Sequence, residues 1–218
     1  MKDVLRIYFD TEFTGLRKDT DLISIGLITE GGNTFYAEFT DYDRTKLNSW
    51  IIKNVIKNLE HPEYNPDYEN YRIEANRKLV QFHLNKWLEA VRDGREVQFV
   101  SDCASYDTVL LFDLLTGGRT AIYLPDWISP IVFDIVHIIS ANLDTLVIGS
   151  DLEGEVSSQT YDYDMLDNIH KAFDFSRETI VNNCNIHIEG EKHNALYDAK
   201  VIKEISEHYI EIYELEDK

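Results

Sequence analysis

The stretch Val4-Leu5-Arg6-Ile7-Tyr8-Phe9 reads as an apolar strand that runs directly into Asp10-Thr11-Glu12-Phe13-Thr14-Gly15-Leu16. Side chains alternate faces along a strand, so Asp10 and Glu12 project from the same side. Two acids on one face of a buried strand repel each other and cost free energy to strip of water. Any fold built on this segment has two options. It can leave the strand end in solvent, with the acids beside a turn at Thr14-Gly15. Alternatively, it can neutralise them, and a divalent cation held by carboxylate oxygens does so. The segment alone leaves both open.

The patterning around it sets the fold class. Leu22-Ile23-Ser24-Ile25-Gly26-Leu27-Ile28 reads as a second strand, Gly31-Gly32-Asn33 as a turn, and Thr34-Phe35-Tyr36-Ala37-Glu38-Phe39 as a third strand, together a meander. Residues 45–58 read as a helix with Trp50, Ile51, Val55 and Leu59 on one side. A loop with Pro62 and Pro66 follows over 61–67. Residues 68–92 read as a helix carrying Ala75, Leu79, Phe82, Leu88 and Val91, ending near Asp93-Gly94. Val97-Gln98-Phe99-Val100 is a short buried strand, and 106–115 return to a helical pattern. Over 117–160 the pattern is broken by Gly117-Gly118, Pro125 and Pro130, with a helix predicted around 134–142 and further helices at 161–173 and 177–184. The last helix spans 193–213, with Ala195, Ala199, Ile202, Ile205, Tyr209 and Ile212 inward. A meander followed by alternating helix and strand predicts an α/β fold, a mixed sheet flanked by helices. Residues 1–213 are expected to form a single domain, with 214–218 a frayed tail.

Length permits one core of ordinary size, and 44% apolar with 28% charged residues is normal for a globular chain. No stretch approaches the ~20 apolar residues that cross a bilayer. The opening Met1-Lys2-Asp3 enters a strand directly, unlike a signal peptide. Cys103 and Cys184 stand far apart and read as free thiols, which points to a cytoplasmic location. The net charge of −19 argues against a phosphate-tracking surface. It does not exclude one acidic cleft in which bound cations reverse the local field. The basic groups Arg17-Lys18, Arg72 with Arg77-Lys78, and Lys192 with Lys200 and Lys203 read most simply as solvated faces.

Two further segments carry chemistry. In Ser101-Asp102-Cys103-Ala104-Ser105-Tyr106-Asp107, Asp107 falls where a strand gives way to a helix. That is a common position for a ligand, and equally for a helix N-cap; Asp102 has the same two readings. In His193-Asn194-Ala195-Leu196-Tyr197-Asp198-Ala199, Asp198 is set to face the sheet between small alanines, with His193 in the entry turn. The alternative is a surface His and an Asp favoured by the helix dipole.

Taken together, strand acids at 10 and 12, a strand-to-helix acid at 107 and His193 with Asp198 on a late helix resemble the DEDDh family of 3′–5′ exonucleases. Phe9 through Leu16 is similar to that family's opening signature, Tyr106-Asp107 to the end of its second motif, and His193 through Asp198 to its third. Leu22 through Gly26, the Gly31-Gly32 turn, Trp50 and His193 through Ala199 are most similar to the RNase AS group of polyadenylate-preferring exoribonucleases. The likeness covers roughly 4–60, 96–112 and 190–205. One departure stands out: many members carry Asn where Asp102 stands here, and Asp102 is left out of the metal set.

The resemblance implies an RNase H-like sheet and two divalent cations, Mg²⁺ or Mn²⁺, held by Asp10, Glu12, Asp107 and Asp198. By similarity, Asp10 bridges the two cations, and Glu12 and Asp198 complete the one that carries the attacking water. Asp107 serves the one beside the leaving oxygen, and His193 takes the proton from the water; an imidazole suits proton transfer at neutral pH. It further implies a terminal-nucleotide contact through Thr14, Gly15 and Leu16, with Phe13 as an aromatic candidate. The expected partner is the 3′ end of single-stranded RNA, with DNA as the alternative substrate, and no membrane. A binding module without chemistry on the same fold is the other reading. Small exonucleases of this type are often homodimers; here an apolar interface would lie on the helices at 68–92 or 161–184. His61, His83, His137, His170, His187 and His208 receive no role.

Overall fold

The computed structural model describes residues 4–119, 121–135 and 188–216, with side chains in the last segment through residue 207. Three strands form the predicted antiparallel meander: β1 (Val4–Phe13), β2 (Leu22–Thr29) and β3 (Thr34–Phe39). Single 3-10 turns at Arg44–Lys46 and Ile56–Asn58 flank α1 (Ser49–Asn54). The chain then forms β4 (Asn70–Ala75), α2 (Arg77–Val91), β5 (Glu96–Ser101), α3 (Ala104–Thr116), a two-residue β6 (Phe133–Asp134) and α4 (Ala195–Glu216). The six strands lie in the order β4-β3-β2-β1-β5-β6, with β3–β4 and β1–β5 parallel.

Strand alternation divides this sheet into two faces of different chemistry. One face carries Leu5, Ile7 and Phe9 of β1, Ile25 and Leu27 of β2, Phe35, Ala37 and Phe39 of β3, and Val97 and Phe99 of β5. Against it pack Val80, Leu84, Trp87, Leu88 and Val91 of α2 and Leu110, Leu111, Leu114 and Leu115 of α3, forming the main core. Each such side chain, fully buried, contributes about 2 kcal/mol. Trp87 is wholly buried and satisfies its indole N–H on the Tyr68 carbonyl at 3.0 Å.

The other face is polar and ordered in rows. Directly paired residues across a ladder point the same way, so Asp10, Gly26, Tyr36 and Arg72 form one row. Glu12, Ser24, Glu38 and Glu74 form the next. The first turn of α4 crosses this face at Gly26. A Cβ there would overlap the backbone of Ala195 and Leu196, so only glycine allows the crossing.

The chain divides into two units, residues 1–133 with 188–203 and residues 134–187 with 204–218. All the polar-face residues named above belong to the first. Of the second, the structure describes Asp134, Ile135 and the continuation of α4 from Glu204 to Glu216.

Several expectations need correction. The predicted helix over 68–92 is a strand followed by a helix. Residues 70–75 alternate buried and solvent-facing positions with period two, and Asn76 then caps α2 by accepting the Leu79 amide at 3.0 Å. Of the residues that reading grouped at helical spacing, Leu88 and Val91 are buried, while Leu79 and Phe82 are exposed. The helix expected over 45–58 is one short helix between 3-10 turns, because Asn48 caps it late by accepting the Ile51 amide at 2.8 Å. Of the residues read on one side of it, Ile51 and Val55 are buried and Trp50 is 54% exposed. The last helix starts at Ala195, leaving His193 outside it, and spans Ala195–Glu216. The helices predicted at 161–173 and 177–184, and all but the first residues of the one at 134–142, lie outside the described residues, as do the side chains of Tyr209 and Ile212.

Candidate active site

β1 outruns its neighbour: its pairing with β5 ends at Tyr8 opposite Val100, so Asp10 and Glu12 project beyond β5. Into that space α3 brings Asp107 from its first turn. Asp107 is only 2% exposed and accepts hydrogen bonds from the hydroxyls of Thr11 and, at 3.3 Å, Ser101. It is therefore not the helix N-cap, a position held by Cys103. From α4 comes Asp198, buried beside Ala195 and Ala199 as the small-residue pattern predicts. Its Oδ2 accepts the His193 amide at 2.8 Å, and its own amide donates to the Asn194 carbonyl at 3.0 Å. His193 sits in the left-handed region with φ of 66°, an uncommon conformation for this residue type. Its Nδ1 lies 3.8 Å from Glu12 Oε1, and its ring meets Trp50 edge-on at 5.0 Å.

These side chains make two groups whose ligand atoms lie within 4.8 Å of one another: Glu12, His193 and Asp198, and Asp10, Asp102 and Asp107. Burial, and then the carboxylates of Asp107, Asp198, Glu12 and Asp102, hold the Asp10 carboxyl well above the usual range. Glu12 is pushed up to about 8, first by burial and then by Asp198, Asp107 and Asp102. Asp107 is raised to about 7 by burial and by Asp102, against the lowering effect of its bonds from Thr11 and Ser101. A set of carboxylates that cannot ionise together without a counter-charge, all oxygen donors but for one imidazole, fits hard divalent cations such as Mg²⁺ or Mn²⁺. Asp102, set aside in the sequence reading, belongs to this set by position. The signal for it was its place just past the end of β5, beside the end of β1.

The residues read as nucleotide contacts follow directly after the strand acids. Phe13 stacks on Tyr106 with centroids 5.8 Å apart. Thr14 is buried, its amide donating to the Asp21 carbonyl at 2.9 Å and its hydroxyl 3.2 Å from that of Thr20. Gly15 has φ of 141°, and Leu16 is 70% exposed. Trp50, which the sequence reading grouped with Ile51 and Val55 on one side of a helix, is exposed and lies against His193, a neighbour that only tertiary structure reveals. Of the basic groups, Arg72 pairs with Glu60, and Arg77 with Asp113 at 2.5 Å.

The fold resembles that of a solved structure of S. pombe Pop2p in its Mg²⁺- and Mn²⁺-bound form, at 18% identity, covering 92% of this chain and 81% of that one, with a TM-score of 0.52. This likeness shows the fold, an RNase H-like mixed sheet flanked by helices. Two Mycobacterium tuberculosis proteins, 3′–5′ exoribonuclease Rv2179c of strain ATCC 25618 / H37Rv and 3′–5′ exoribonuclease MT2234.1 of strain CDC 1551 / Oshkosh, are each 29% identical over 119 residues. The match covers 54% of this chain and 65% of each relative, so the chain spans just under two thirds of their length. A family model described as the 3′–5′ exoribonuclease Rv2179c-like domain matches residues 5–210. Because that span runs from β1 through the site and into α4, the chain belongs to the 3′–5′ exoribonuclease Rv2179c-like domain family.

Proposed function

We propose that this chain is a divalent-metal-dependent 3′–5′ exoribonuclease of the DEDDh type, acting on single-stranded RNA ends and releasing nucleoside 5′-monophosphates. The observation that carries the proposal is the gathering of Asp10, Glu12, Asp107, Asp198 and His193, drawn from β1, α3 and the entry to α4, into two adjoining ligand groups. The family match supports RNA as the substrate. The finer expectation, a preference for A-rich ends of the RNase AS type, rests on the sequence resemblance.

Asp10, Glu12 and Asp198 would hold one cation, and Asp10 with Asp107 a second, with Asp102 as an added acid on that side. Bound divalent cations supply positive charge for the transferring phosphoryl group and lower the pKa of water. The chain's own residues do the rest. Thr11 and Ser101 orient the Asp107 carboxylate by donating to it. The Asp198 carboxylate holds the His193 turn through the backbone amide. His193 presents its ring to the cleft as general base and accepts the proton of the attacking water, while the phosphodiester bond to the 3′ oxygen of the preceding nucleotide breaks. Leu16 and Trp50, both exposed, would flank the terminal nucleotide.

The test is incubation of the purified protein with 5′-labelled A-tailed RNA and the matching DNA, with Mg²⁺ or Mn²⁺ and with EDTA. A ladder shortening from the 3′ end, faster on RNA and stopped by EDTA, is expected. Absence of cleavage with either metal would leave a binding module on this fold.

A further inference from the structure

Asn194, next to His193, is almost wholly buried and fully used. Its Oδ1 accepts the amides of Leu196 and Tyr197 at 3.1 and 3.2 Å, capping the start of α4. Its Nδ2 lies 3.2 Å from each of three acceptors: the Tyr36 hydroxyl, the Asn58 carbonyl and Glu60 Oε1. Tyr36, with no exposed surface, donates in turn to Glu38 Oε1 at 2.7 Å. Glu38, 1% exposed, also accepts the amides of Glu60 at 2.6 Å and His61 at 3.1 Å. Asn58 completes the knot by donating to the Lys192 carbonyl at 2.7 Å. A tyrosine and a glutamate in the middle of β3 thus reach, through Asn194 and Asn58, the backbone on both sides of His193.

The knot meets the first acidic group at the Asn194 carbonyl, which accepts the Asp198 amide at 3.0 Å. Two buried polar side chains on one strand demand partners, and the partners found are the loop before β4 and the turn that carries His193. That turn also holds His193 at a positive φ, a conformation that persists only when its surroundings over-determine it.

We propose that Tyr36 is a positioning residue for His193, acting through Asn194 and itself oriented by Glu38. The proposal rests on the exoribonuclease reading for its catalytic consequence but not for its structural one. Without the Tyr36 hydroxyl, the two Asn194 Nδ2 protons keep only the Asn58 carbonyl and Glu60 Oε1, the tie from β3 to the 191–194 turn is lost, and the turn gains freedom. Displacements of about 1 Å at a catalytic group cost up to about 100-fold in rate.

The experiment uses Tyr36→Phe, which keeps the ring packed on Ala195 and Leu196, together with Asn194→Ser. The latter keeps a capping oxygen and removes the amide donors. The two variants, each with and without His193→Ala, are compared with the parent chain by steady-state kinetics on single-stranded RNA and by amide hydrogen exchange over 191–198. The expected result has three parts. Exchange in the turn accelerates about tenfold or more while β1 and β2 keep their protection. The kcat falls on the order of 10- to 100-fold with KM unchanged. Neither substitution lowers kcat further once His193 is Ala. Unchanged exchange in the turn overturns the proposal, as does an equal kcat loss in the presence and absence of His193. If the parent chain cleaves no RNA, the exoribonuclease reading fails while the exchange comparison still decides the positioning claim. If Tyr36→Phe does not fold, Asn194→Ser carries the same comparison.

Discussion

Glu12→Gln is expected to stabilise the metal-free protein, and increasingly so as pH rises. The Glu12 side chain is 13% exposed, and its carboxyl is raised from 4.5 to about 8, chiefly by burial and then by the carboxylates of Asp198, Asp107 and Asp102. Between these two values the folded chain keeps a proton that the unfolded chain has released. Stability contributed by this group therefore falls as pH climbs from about 4.5 to about 8 and is level above that. At 1.36 kcal/mol per pKa unit, the cost of Glu12 is about 1 kcal/mol at about pH 5.5 and about 5 kcal/mol at about pH 8.5. A neutral glutamine of the same shape removes that cost. Urea unfolding in EDTA at the two pH values measures it: the variant should exceed the parent slightly at the lower pH and by several kcal/mol at the higher. With Mn²⁺ at about 100 times its dissociation constant the parent gains about 2.7 kcal/mol, and the variant, short of a ligand, gains much less. A variant no more stable than the parent at about pH 8.5 in EDTA would refute the claim that the acids are held apart from their natural charge state for want of a cation.

Other expectations are as direct. Asp10→Ala and Asp198→Ala should abolish RNA shortening with circular dichroism unchanged; retained activity in either would remove the assignment. His193→Ala should lower kcat by about 10²–10⁴-fold while Mn²⁺ affinity, read by calorimetry, stays within a few-fold of the parent. Gly26→Ala places a methyl group against the backbone of Ala195 and Leu196; a loss of about 1–3 kcal/mol in thermal unfolding, with reduced kcat, is expected, and a neutral result would show that α4 yields at that crossing. Thr11→Val removes a donor that holds down the Asp107 carboxyl, so Mn²⁺ affinity should fall most at low pH, where protons compete best for that oxygen.

The sequence by itself determined the meander and the β5–α3 unit and offered Asp10, Glu12, Asp107 and Asp198 as candidate acids, because each is a local pattern. Apolar runs broken by Gly31-Gly32 define strands, and a carboxylate at a strand end or in a helix's first turn is visible as residue type and spacing. The helix at 68–92 failed for an equally local reason. Tyr71, Ile73 and Ala75 have period two for only six residues before Asn76, and a helical window that includes α2 averages this away. Trp50 was read on one helix side with Ile51 and Val55, yet these two are buried and Trp50 is exposed, because hydrophobicity says that a side chain prefers burial, not that the fold grants it.

Tertiary structure alone decided what the acids face. Register places Asp10 in a row with Gly26, Tyr36 and Arg72, and Glu12 in a row with Ser24, Glu38 and Glu74. No spacing along the chain predicts which residue lies across a ladder. The same register brought Asp102 to Asp10 and Asp107 and tied Asn194 to Tyr36 across 158 positions of sequence. Charge and burial act through space, so the raised carboxyls of Asp10, Glu12 and Asp107, and the fit of their cluster to a divalent cation, exist only once the strands have paired and α4 has settled on Gly26.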